Sequence, residues 1–86
     1  MKYRVFADFM CTGIWGPIPG NYETEFPKYV PDNIKDMLES WLVQYEHFTY
    51  DEGINPEIMK TFNSYGRFIT DELNKLSRDT YIYVES

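Results

Sequence analysis

The chain has 86 residues, with 14 acidic against 8 basic side chains for a formal net charge of −6. That length holds one domain, 1–86, because single domains run from ~50 residues upward and a second core is out of reach. An isoelectric point near 4.6 argues against nucleic-acid or anionic-membrane binding, both of which need a clustered basic patch, and favours a cationic partner.

Aromatic residues make up 19% of the chain, and large rings supply much core area per residue. Cys11 is the only cysteine, so no internal disulfide can form, and a reducing, cytoplasmic setting is expected. The N-terminal Met-Lys-Tyr-Arg-Val-Phe-Ala-Asp is too polar for a signal peptide. No apolar run approaches the ~20 residues of a membrane span.

In chain order, Tyr3, Val5, Ala7, Phe9 and Cys11 alternate with a face that includes Lys2, Arg4, Asp8 and Thr12. The spacing predicts a half-buried strand over 3–11. Phe6 and Met10 interrupt the polar face, which suggests cover from a neighbouring segment or a second chain. Thr12-Gly13 ends the strand, and Gly16-Pro17-Ile18-Pro19-Gly20 excludes regular structure. Trp15 falls in this loop. The segment 21–30 reads as a short irregular strand at a sheet edge, kept from a sheet centre by Pro27.

Pro31 with Asp32 or Asn33 starts a helix. Ile34, Met37, Leu38, Trp41, Leu42, Tyr45 and Phe48 give it one apolar stripe of helical period. Gly53 ends it, and Asn55-Pro56 starts a second helix whose buried face reads Ile58, Phe62, Tyr65, Ile69, Leu73 and Leu76. Gly66 inside that helix costs about 1 kcal/mol relative to alanine, which points to a close crossing. The run Thr80-Tyr81-Ile82-Tyr83-Val84 is of strand type. The expected fold is α+β in the order β, loop, α, α, β. Its two helices cover one face of a small sheet built from the N- and C-terminal strands. Two strands alone are marginal, so a third strand around Tyr22–Phe26 or an edge-to-edge dimer is also expected.

The charge is unevenly placed. Residues 1–31 and 58–86 each balance to zero, whereas the middle holds Asp32, Asp36, Glu39, Glu46, Asp51, Glu52 and Glu57 against Lys35 alone. Projected at ~100° per residue, Asp32, Asp36, Glu39 and Glu46 share a sector opposite the apolar stripe, with Val43 among them and His47 beside it. Such a face is either simply solvated or a contact surface, with acids at the rim steering a basic partner and Val43 at its centre. Asp51 and Glu52 extend the acidic region around the bend.

No metal site is expected, because Asp51-Glu52-Gly53-Ile54-Asn55 does not continue a calcium-loop pattern. No cofactor is implied. Glu46 and His47 diverge on a helix and cannot act as an acid–base pair, and no nucleophile stands in a recognisable elbow. No catalytic residue is therefore assigned. Cys11 reads as a small core residue. Trp15 is open between a plug over the core and a partner anchor.

Taken together, Thr12-Gly13-Ile14-Trp15, Pro31, Leu38-Glu39-Ser40-Trp41-Leu42 to Tyr45-Glu46, Phe62 to Gly66 and Leu73 resemble, in order, small bacterial proteins of unassigned function. In size and acidity the chain is also similar to the immunity proteins that neutralise bacterial toxins. That resemblance implies a non-enzymatic inhibitor docking on a basic toxin or nuclease. Two alternatives stay open: a phage-encoded inhibitor that imitates nucleic-acid charge against a host defence nuclease, and a structural subunit that forms a homodimer through edge strands with Phe6, Met10, Tyr81 and Tyr83 as interface.

Overall fold

A computed structural model describes residues 2–8, 11–16, 26–47 and 56–85. The elements follow as β1 (Lys2–Val5), β2 (Ile14–Trp15), α1 (Asp32–His47), α2 (Pro56–Leu76) and β3 (Thr80–Tyr83). The three strands form one mixed sheet in the order β2-β1-β3, so the fold is α+β, with strands from both ends of the chain side by side. β1 runs parallel to β3, pairing Lys2 with Thr80 through Val5 with Tyr83. A parallel neighbour needs a long crossover, and α1 and α2 supply it.

The alternation at the N-terminus is present, but the strand is shorter than the 3–11 predicted. Val5 and Ala7 are fully buried and Tyr3 stacks on Tyr81 at 5.2 Å. The chain then turns back. Gly13 adopts φ 87°, a backbone conformation that suits glycine, and the Phe6 N–H donates to Gly13 O at 3.0 Å. β2 therefore returns antiparallel, with Arg4 opposite Trp15 and Val5 opposite Ile14. Trp15 belongs to a strand, not to a loop. Among the described residues the third strand is this return. Of the Tyr22–Phe26 segment, residues 22–25 lie outside the described residues. Phe26 to Val30 form a turn closed by the Val30 N–H on Pro27 O at 3.0 Å.

Both helices start at the expected prolines. In α1, the N–H groups of Ile34 and Lys35 both donate to Pro31 O at 3.1 Å, and Ile34, Leu38, Trp41 and Leu42 are buried. In α2 the buried line is Phe62, Gly66, Ile69, Thr70 and Leu73. Leu76, predicted on the buried face, is 47% exposed, because it stands in the final turn, beyond the last core layer set by Leu73. Trp41 is the centre of the core. Its ring stacks on Phe62 at 4.8 Å and 8°, and its indole N–H donates to Phe62 O at 3.1 Å. Gly66 lies directly beneath: a Cβ there would come within 2.8 Å of Trp41 Cζ2 and closer still to the Tyr83 ring. The crossing predicted from Gly66 is real, and it involves both the first helix and the sheet.

The inner face of the sheet carries Val5, Ile14 and Tyr81, all buried, with Tyr83 packed against the same core. Tyr81 and Tyr83 are thus turned toward the helices, Tyr81 buried and Tyr83 half-buried. Met10 lies outside the described residues, and Phe6 is half-buried against Trp15. The β3 edge itself is capped. The Val84 N–H donates to Val5 O at 2.9 Å, so the backbone groups of Tyr81 point the other way, away from β1. There the Tyr81 N–H donates to Asn74 Oδ1 at 2.7 Å and Asn74 Nδ2 donates to Tyr81 O at 3.0 Å.

Candidate protein-binding face

Because α1 turns its apolar stripe to the core, its opposite side is left to solvent. Asp32, Asp36, Glu39 and His47 are exposed there, and Val43 is 62% exposed among them. Asp36, Glu39, Ser40 and Val43 line a shallow groove of about 430 Å³ along the helix. Asp32 is partly neutralised by Lys35 Nζ at 3.9 Å. Lys35 in turn reaches toward Phe26, with Nζ at 5.9 Å from its ring centroid. Asp36 and Glu39 share the groove with Val43 and carry no ion pair among the described residues.

Glu46, another of the expected acids, does not line that groove. Glu46 is half-buried at the border of the face, and its charge weakly disfavours the anionic form of the Cys11 thiol. Burial is the main reason that the Cys11 thiol titrates above its ordinary range. Hydrogen bonding to the backbone of Gly13 and Asp8 works against the rise, and the charges of Asp8 and Glu46 add to it. The Cys11 Sγ donates to Asp8 O at 3.3 Å and the side chain packs against the core from a turn. Asp51 and Glu52 lie outside the described residues.

Trp15 is not part of the acidic face. It lies on the outer side of the sheet, across the molecule from the exposed side of α1, with its indole N–H donated to Phe6 O at 3.0 Å. Beyond the predicted residues, a second crevice lies where the helices meet, lined by Gln44, Glu57, Ile58, Thr61 and Phe62. Among the described residues no group of three or more His, Cys, Asp or Glu side chains gathers that could hold a metal. No helix among them is long and apolar enough to cross a membrane.

The fold and this surface define a small α+β protein with one acidic helix face around an apolar residue. No protein-family model matches the chain, and no curated protein matches it.

Proposed function

We propose that the chain is a non-enzymatic acidic binding protein that docks on a basic protein through the exposed face of α1, acting in the cytoplasm as an immunity-type inhibitor of a bacterial toxin or nuclease. The observation that carries the reading is Val43, 62% exposed in a groove shared with Asp36 and Glu39. Interfaces place apolar contact at the centre and charge at the rim, and α1 offers that arrangement in miniature. Acids flanking the contact steer a cationic partner and raise its association rate more than its final affinity. The net charge of −6 adds a long-range attraction of the same sign.

The test is capture of a basic partner on the immobilised chain, followed by association kinetics at rising ionic strength. Reversal of Asp36, Glu39 and Glu46 to lysine should cut the on-rate by about tenfold or more at low salt and flatten its salt dependence. Val43→Ala should act instead on the off-rate. An on-rate indifferent to the triple reversal removes the acidic face from the reading. Displacement of the partner by duplex DNA would identify it as a nuclease held through its nucleic-acid groove.

A further inference from the structure

The side of the sheet that faces away from the helices carries a cavity of about 280 Å³ lined by Arg4, Phe6, Trp15 and Val84. The register builds it. Arg4 on the central strand stands between Trp15 on one neighbour and Ile82 on the other, and Ile82 is 46% exposed beside it. Trp15 is a fixed wall, because its indole N–H is committed to Phe6 O at 3.0 Å and its ring meets Phe6 edge-on at 5.9 Å and 65°. Arg4 Nη2 donates to Gly16 O at 3.3 Å, which holds the guanidinium across the groove while using one of its five N–H donors. Glu85, the acid nearest in sequence to Val84, is drawn away into an ion pair with Arg67.

We propose that this groove binds a small apolar carboxylate, with its apolar body against Phe6, Trp15 and Val84 and its carboxylate on Arg4. Charge complementarity sets the anion: Arg4 is the one charged residue among the described residues that line the cavity, and guanidinium matches a carboxylate in a two-bond fork. Size sets the rest. The volume sits at the small end of ligand sites, which run from about 300 Å³ upward.

The test is titration of the 15N-labelled chain with 3-phenylpropionate, followed through the two tryptophan indole N–H signals. The Trp41 indole is buried on Phe62 O and serves as an internal reference. Saturable movement of the Trp15 signal at millimolar acid is expected, with Trp41 unmoved. Replacing the acid by neutral 3-phenylpropionamide should weaken binding about ten- to a hundredfold, as loss of a charge-assisted hydrogen bond does. Arg4→Met should erase that preference while keeping the aliphatic stem, and Lys2→Met, on the exposed start of the same strand, should leave it intact. Equal binding of acid and amide, an unmoved Trp15 signal, or an undiminished preference in Arg4→Met would each overturn the proposal. Should Arg4→Met fail to fold, the acid-to-amide comparison on the unaltered chain decides it alone.

Discussion

At the scale of residues, the tyrosines set the alkaline limit of this fold. The Tyr83 hydroxyl is pushed up to about 12, mainly by burial, with Arg67 pulling the other way. Burial, together with the bonded Tyr29 hydroxyl, raises Tyr81 further still. Both side chains hydrogen-bond as neutral phenols, Tyr81 with Tyr29 and Tyr83 with Asn63. A raised folded value means that the unfolded chain, whose tyrosines ionise near 10, loses protons first as pH climbs. The folded state then binds more protons and stability falls with pH. Stability from these groups should be intact below pH 10 and decline between about 10 and 12. Chemical denaturation midpoints measured from pH 8 to 11.5 should show this fall, and Tyr83→Phe should make it shallower. A midpoint that stays level to pH 11.5 would contradict the assignment.

At the scale of elements, Gly66 and Asn74 are the two positions where α2 is specified against the rest of the molecule. Alanine at 66 would gain about 1 kcal/mol of helix propensity, yet its Cβ would press on Trp41 and Tyr83. Overpacking of a filled core costs about 1–3 kcal/mol, and here two rings would have to shift together. Gly66→Ala should therefore destabilise the protein by about 1–2 kcal/mol, read by urea denaturation, although a helical peptide of the same sequence would become more helical. Asn74 does for β3 what a fourth strand would do, with one donor and one acceptor on the Tyr81 backbone. Net hydrogen bonds contribute about 0.5–1.5 kcal/mol each, so Asn74→Ala should cost about 1–2 kcal/mol. It should also open the strand edge to pairing with another copy. Light scattering across a concentration series would then show association in Asn74→Ala and a monomer in the unaltered chain. A dimer of the unaltered chain would show that the cap does not block the edge.

For the molecule as a whole, the two layers separate two kinds of surface. The helix layer presents Asp36 and Glu39 around Val43, and the sheet layer presents Arg4 among Phe6, Trp15 and Val84. They lie on opposite sides of the core built on Trp41 and Phe62. Binding at one should therefore be independent of the other. A saturating concentration of 3-phenylpropionate should leave the association rate of a basic partner within about a factor of two, since charges separated by more than a Debye length of ~8–10 Å are largely screened at physiological salt. Competition between the two would instead show that they are coupled through the core.

The sequence by itself determined both helices, their proline starts, the strand character of both termini and the acidic sector of α1. Each of these is a local property: period, capping chemistry and charge within one element. Even the Gly66 crossing was legible, because a glycine inside a strong helix pattern has few other uses. Only tertiary structure decided that β1 stops at Val5 and folds back as β2. Alternation alone does not reveal where a chain turns: β1 ends at Val5 although the pattern runs on to Cys11, and Gly13 at positive φ leads into the return strand. The same return moved Trp15 from a loop to the outer face of the sheet, away from the acids of α1. The parallel pairing of β1 with β3 then set Arg4 beside Val84, residues at opposite ends of the chain. No spacing in the sequence encodes that contact, since it depends on the long crossover through two helices and on the register that the pair adopts.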